Sequence, residues 1–547
     1  MEEARALSSD AMPAVIRGWL RDYADRLQIE GADGAAWTFE AIEAESARVA
    51  RGLLAQGVGK GGRVGLMLPN GPDWLIAFCA ITRIGALAVL MSTFFKPPEV
   101  AHALRYADVD TLITTDRFLS ADFPGRLEAA LPGLGERSGR RPLRLLAAPF
   151  LRAIWVWGET QPAWSRGDAA ALMAGAELEG IDARLLEEVE SEVTPADLAL
   201  IIYTSGSTAA PKAVLHTQGT LVRHSRAMSR NFMDVRPGDR LMSTMPFFWI
   251  GGLDLSLLGV NHSGGTHVVP EAPTPAAMLR ALRERDVTLI QLWTHDVQAL
   301  MNHPEARPDD FARLRPTSAQ QLALFKRAAP EATSNSLGMS ETFGPHSGER
   351  ADASLPADRA WSFGRRIEAM ERIIVDPATR DRLPPGRAGE LWVRGPFLMQ
   401  GMYKLEREEL FEPDGFFRTG DLCSLSEDGY LFFTGRNTEM IKTKGANVAP
   451  REVEAVLAAA PGVAEAAVMG LPDPEAGEIV VAVVVPREGA EPTEAALIEH
   501  VRERLSSYKV PQRIVFFQFE EIPRTDSAKV QKPKLRELLL ERLSRTI

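Results

Sequence analysis

Apolar residues recur along this chain with two different periods. From about residue 14 to about residue 60 they fall at the spacing of amphipathic helices, interrupted by a short strand at Trp37-Thr-Phe39. The helix predicted over Glu40–Gln56 has Gly57 in the place of a C-cap. Short unbroken apolar runs predict buried strands at Arg63–Leu68, Ala86–Met91, Trp155–Trp157 and Leu198–Tyr203. Pro69-Asn-Gly-Pro72 closes the first of these with a turn. Strands alternating with helices in this way imply a mainly parallel sheet layered with helices, an α/β fold. The stretch 123–142, rich in Gly, Pro and Arg, reads as an exposed loop. Gly389–Gly395 reads as a strand with a turn. After Arg436 the pattern changes to a helix from Arg451, strands at Val463–Val468 and Ile479–Val485 around Pro472-Asp-Pro474, and a helix near Glu494–Leu505. That is a smaller α+β unit.

The strand Leu198–Tyr203 runs straight into Thr204, Ser205, Gly206, Ser207 and Thr208. Four of these five carry a hydroxyl, and the glycine lets a ligand approach the backbone. Donors concentrated in one loop suit a polyphosphate, and Lys212 adds a positive charge. A solvated Ser/Thr/Gly loop would have the same composition. Phe247, Phe248 and Trp249 precede Gly251 and Gly252, which alone reads as a core cluster at a turn.

At 547 residues the chain is too long for one ordinary core. Its 45% hydrophobic and 25% charged content describes a soluble globular protein. A net charge of −11 argues against nucleic acid or an anionic membrane as main partner. Two cysteines, Cys79 and Cys423, make no disulfide framework and fit a reducing cytoplasm. The N-terminus lacks the basic-then-apolar pattern of a signal peptide. The most membrane-like stretch, Trp74–Met91, is interrupted by Arg83 and Gly85 and reads as a buried helix and strand.

The order of residues in 198–212 resembles the phosphate-binding signature Tyr-Thr-Ser-Gly-Thr/Ser-Thr-Gly-x-Pro-Lys-Gly of the adenylate-forming superfamily of acyl-CoA synthetases, adenylation domains and luciferases, with Ala209 and Ala213 replacing two glycines. Asn335-Ser-Leu-Gly-Met-Ser-Glu-Thr-Phe-Gly344 is similar to the family's Tyr-Gly-Met-Thr-Glu-Thr segment. Leu337 stands where tyrosine is usual, and the adenine-wall segment before it departs from the family's form. Arg418-Thr-Gly-Asp421, Gly435-Arg436 and Pro523-Arg-Thr-Asp-Ser-Ala-Lys529 match three further family motifs.

The resemblance implies a role for each. Thr204–Thr208, Lys212, Leu337, Gly338, Met339 and Ser340 would bind ATP, with Asp421 on the ribose hydroxyls and Arg436 on ribose or phosphate. Glu341 would hold Mg²⁺, since hard oxygen ligands suit that ion, and Thr342 would reach the α-phosphate or acyl carboxylate. Phe247, Phe248, Trp249, Gly251 and Gly252 would wall an acyl pocket. Asp254, the amine-binding carboxylate of amino-acid-activating relatives, reads here as a capping or surface residue. The large domain would run over 1–437 and a mobile C-terminal domain over 438–547, hinged at Thr438. That domain would bring catalytic Lys529 for adenylation and Lys442, Lys444 and Gly445 along the path of coenzyme A. The implied enzyme is a cytoplasmic ATP-dependent carboxylic acid:CoA ligase acting through an acyl-adenylate on an apolar or bulky aromatic acid. A ligase loading a carrier protein and a non-catalytic nucleotide-binding relative are the alternatives. Neither nucleic acid nor an integral membrane segment is expected, and a homodimer is compatible with the sequence.

Overall fold

The computed structural model describes residues 10–204, 212–317, 321, 335–350, 353, 355–360, 362–377, 379–436, 441–448, 450–524 and 530–544. The chain divides into two compact units: one of residues up to Thr93, Ala103–Ile202 and Ala213–Gly435, the other of Phe94–His102, Tyr203–Lys212 and everything from Arg436. The hinge expected at Thr438 lies outside the described residues.

The apolar runs of the first unit form one seven-stranded sheet in the order Gly401–Met402, Lys212–Thr217, Leu198–Thr204, Leu87–Leu90, Arg63–Met67, Thr111–Thr115 and Ala153–Trp157. The last five pair in parallel, as the alternation predicted. Gly401–Met402 closes one edge antiparallel to Lys212–Thr217. A second sheet of five strands runs from Leu289–Gln291 to Ala36–Thr38. The helix Phe39–Ala55 begins on Thr38, whose side chain accepts the Ala41 N–H at 3.1 Å. It ends with Gly57 N–H bonded to Leu54 O and Val58 N–H to Leu53 O, the paired closure that a glycine after the C-cap permits.

Pro72–Arg83 is a buried helix and Leu87–Leu90 a buried strand, and among the described residues no helix is long and apolar enough to cross a membrane. Arg83 is kept in this interior by Glu190 at 2.5 Å and Glu43 at 2.8 Å. The stretch expected as a loop over 123–142 differs. Phe123–Ala130 is helical, with Asp122 accepting the Gly125 N–H at 3.2 Å. Pro124 sits in the first turn, where its missing N–H breaks no helical bond. The remainder is loop.

The second unit is built on the hairpin Val463–Asp473 and Gly477–Pro486, with Arg513–Phe516 parallel to the latter. The first strand continues through Pro472, further than the predicted Val463–Val468. Ile441–Thr443 and Ala446–Val448 form a smaller hairpin joined by Lys444 and Gly445. Both connecting residues have positive φ, 47° and 76°, the two-residue turn whose twist matches that of the strands. Lys509 is buried in this unit and donates to Glu99 and Glu452, each at 2.8 Å. Two carboxylates hold its proton more tightly than an ordinary lysine does, against the cost of burial.

Candidate active site

The loop 204–212 enters and leaves on adjacent strands of the main sheet, which fixes its two ends. Thr204 and Lys212 are half-buried strand termini; Ser205, Gly206, Ser207 and Thr208 lie outside the described residues. Lys212–Thr217 leads into the helix Gln218–Ala227, started by Thr217 accepting the Thr220 N–H at 3.1 Å.

The segment carrying Glu341 is a tight turn, Ser340–Thr342, between the antiparallel strands Leu337–Met339 and Gly344–Gly348. Three bonds hold it. His216 Nε2 donates to Ser340 O at 2.6 Å, Met399 N–H donates to Glu341 O at 2.7 Å, and Thr342 Oγ1 donates to Gly344 O at 2.7 Å. A carbonyl only accepts, so the His216 proton is on Nε2. Burial keeps this imidazole neutral, pushing it down to about 3. These bonds fix the turn, which carries the half-buried Glu341 carboxylate.

The strand alternation separates the expected nucleotide residues. Leu337 is 5% exposed and belongs to a core cluster with Met228, Phe397 and Met399, so little of its side chain is open to a ligand. Gly338 is exposed, and a Cβ there would lie 2.2 Å from Gly344 O. Met339 and Ser340 are half-buried. Thr342, expected at a phosphate, is fully buried with its hydroxyl used inside the turn, and would have to give up that bond to reach a ligand.

Behind the turn lies a pair that sequence reading missed. His224 Nε2 donates to Pro345 O at 2.9 Å, and its Nδ1 lies 3.0 Å from Asp254. Neither His224 nor Asp254 is exposed at all. Burial opposes a charge on His224, but the Asp254 carboxylate and the Pro345 carbonyl outweigh it and raise its affinity for a proton. Burial likewise pushes the Asp254 carboxyl up, so one tightly held proton sits between the two. Gly344 makes the contact with the turn: a Cβ there would stand 2.7 Å from His224 Cε1 and 2.9 Å from Asp254 Oδ2. Asp254 is therefore a buried buttress, not the capping or surface residue expected. The available signal was a histidine eight residues beyond His216, on the buried face of the helix Gln218–Ala227.

Asp254 lies in the π-helical turn Gly251–Leu258, which follows the aromatic segment. Asn70, from the predicted Pro69–Pro72 turn, pins that segment by accepting the Phe247 N–H at 2.9 Å and donating to Met245 O at 2.8 Å. Phe247 faces the core, edge-on to Trp74 and His267 with centroids 5.3 and 4.9 Å away. Phe248 is buried, whereas Trp249, Ile250 and Gly251 are half-buried. The two glycines differ. A Cβ on Gly252 would fall 2.0 Å from Pro246 O, so its space is filled by the turn's own backbone and supplies no pocket depth. A Cβ on Gly251 would meet Met245 Sδ at 3.3 Å and, among the described residues beyond its own helix, nothing else within 4 Å.

Asp421 sits fully buried on the strand Phe417–Leu425, its N–H donating to Thr419 Oγ1 at 3.0 Å. The register shifts here, Glu390 standing opposite Leu422 but Trp392 opposite Arg418, so the extra residues, Asp421 among them, are on this strand, a device that re-aims side chains. Arg436 ends the strand Leu431–Arg436. In the second unit Lys442 and Lys444 are exposed at the small hairpin, and Gly445 is required by its turn. Lys529 lies outside the described residues.

The family model described as AMP-binding enzyme matches residues 16–403, and the AMP-binding enzyme C-terminal domain matches 452–529. The chain belongs to the AMP-binding enzymes. A sulfoacetate–CoA ligase of Cupriavidus necator is 30% identical over 96% of this chain and 97% of its own. A feruloyl-CoA synthase of an Amycolatopsis species is 30% identical over 92% and 94%, and an indoleacetate–CoA ligase of Aromatoleum aromaticum 29% over 90% and 91%. An amide bond synthetase of Marinactinospora thermotolerans shares the fold at a TM-score of 0.78, 26% identical over 96% of this AMP-binding enzyme and 99% of that chain. With such relatives this AMP-binding enzyme is an AMP-forming acyl-CoA ligase.

Proposed function

We propose that the enzyme activates an apolar carboxylic acid larger than acetate, of aromatic or medium to long aliphatic type, as an acyl-adenylate and passes the acyl group to coenzyme A. In the first step the carboxylate oxygen attacks the α-phosphorus of ATP and pyrophosphate leaves. In the second the thiol sulfur attacks the acyl carbon, AMP leaves and the thiol proton is released. The observation that carries the reading is the Ser340–Thr342 turn, which carries a half-buried carboxylate, Glu341, and is held by bonds to His216, Met399 and Gly344.

A magnesium ion on a nucleotide needs one or two protein carboxylates besides the phosphate oxygens, and Glu341 fits that donor set. The ion would supply neutralisation of phosphate charge. The chain's own residues bind and orient: the 204–208 loop and Lys212 the phosphates, Asp421 the ribose, and Lys529 the acyl carboxylate and α-phosphate. Trp249, Ile250 and Gly251 are the half-buried apolar positions suited to the acid. The feruloyl and indoleacetate relatives act on aromatic acids, which agrees with a pocket of this kind.

Pyrophosphate release screened over acetate, octanoate, cinnamates and indole acids tests the substrate class. Each buried CH₂ contributes about 0.8 kcal/mol, roughly fourfold. Octanoate and aryl acids should therefore exceed acetate in kcat/KM by about a hundredfold or more. Equal rates on acetate would reject an apolar substrate.

A further inference from the structure

The loop that follows the helix Phe123–Ala130 has a composition unlike the rest of the chain. Residues 136–152 hold five arginines, Arg137, Arg140, Arg141, Arg144 and Arg152, and one carboxylate, Glu136, in a protein of net charge −11. All five arginines are exposed, and none forms an ion pair among the described residues. Between them Leu146 is 94% exposed and Phe150 51%.

This loop is built rather than slack. Leu143, Leu145, Ala148 and Leu151 are buried and anchor it, so the intervening residues are turned outward. Leu143 N–H bonds to Arg152 O at 2.8 Å and Arg152 N–H to Asp110 O at 2.7 Å. Arg105, itself exposed, donates to Leu146 O at 2.7 Å and fixes the backbone under the most exposed leucine.

From this we infer that the 136–152 loop is a docking surface for an anionic phospholipid bilayer. Guanidinium groups at headgroup depth meet lipid phosphates, while Leu146 and Phe150 enter the boundary with the acyl chains. A nucleic acid would answer the arginines alone and leave an almost fully solvated leucine without a partner. The overall negative charge argues against membrane binding by the molecule at large. It does not bear on one loop, because charges farther off than a Debye length are screened. The inference does not depend on which acid the enzyme activates.

Sedimentation of the full chain with phosphatidylcholine vesicles, with and without phosphatidylglycerol, tests it. The chain should sediment with the mixed vesicles at low salt, not with the neutral ones, and salt should release it. Reversing Arg140→Glu, Arg141→Glu and Arg144→Glu together should lower the partition coefficient by about tenfold or more. Leu146→Ser with Phe150→Ser should lower it several-fold while keeping the salt dependence. All these positions are on the surface, so pyrophosphate release without vesicles should match the parent and reports folding independently of binding. Vesicle binding unchanged by the arginine reversals, no binding to anionic vesicles, or retention by polyuridylate in place of vesicles would each overturn the inference.

Discussion

Asp254 and His224 share one proton in a site closed to water, and each depends on the other to be there. Asp254→Ala would leave His224 without its counter-charge, and removing one member of a buried pair costs about 3–5 kcal/mol. Asp254→Asn keeps the shape and an acceptor for Nδ1, so its loss should be smaller. Urea unfolding of the two variants measures the difference; equal midpoints would mean that the charge contributes nothing. Glu341 belongs to the opposite case. It is half-buried, and its backbone carbonyl takes the Met399 N–H that helps hold the turn. Glu341→Gln should therefore leave the urea midpoint unchanged and lower pyrophosphate release by about 10²–10³, the effect of losing one preorganised electrostatic contact. A lowered midpoint with unchanged kinetics would make Glu341 a structural residue.

Four of the five parallel strands were legible because each is a short apolar run bounded by turn residues, and Pro69–Pro72 was legible as a turn; Thr111–Thr115 was not, because three of its five residues are threonine. The helix Phe123–Ala130 was not, because Pro124 and Gly125 break a helix interior but are tolerated in its first turn. Gly251 and Gly252 looked equivalent in the sequence. Only the path of the Pro246 carbonyl tells a glycine forced by its own backbone from one with space before it. Gly252→Ala should accordingly destabilise the protein without altering which acids it prefers. Gly251→Val should fold and shift preference from bulky toward smaller acids. A competition assay with octanoate and a cinnamate reads this; an unshifted ratio in Gly251→Val would remove that residue from the acyl wall. The His224–Asp254 pair lay beyond the sequence because its members are 30 residues apart and meet only when a helix and a π-helical turn pack together. Leu337 shows the converse: its order in the motif is legible, while its burial in one core cluster with Phe397 and Met399 is not.

Across the molecule, His216, His262, His267 and His346 are buried and neutral, burial holding each down at about 3. In the unfolded chain each takes up a proton near 6.5. Between about 3 and 6.5 the unfolded state binds more protons, so stability rises with pH in that window and is lost as pH falls below 6.5. Each histidine can cost up to about 1.4 kcal/mol per pH unit there, and four together roughly 5. His224 acts in the opposite sense: its raised affinity contributes stability that is full below 6.5 and is lost as pH rises through its folded value. One group against four leaves net acid lability. All of these histidines lie in the first unit, which should unfold before the second as pH drops from 7 toward 5. A urea midpoint flat over that range would show that the buried histidines take up protons without unfolding.

Adenylation followed by thiol transfer is tested most directly by product stoichiometry. With ATP, Mg²⁺, coenzyme A and the best acid of the screen, AMP, pyrophosphate and acyl-CoA should form in equal amounts. Without coenzyme A, acid-dependent pyrophosphate should stop near one equivalent per enzyme, with acyl-adenylate retained. Release of ADP and phosphate, or acyl-CoA formed without matching AMP, would contradict it.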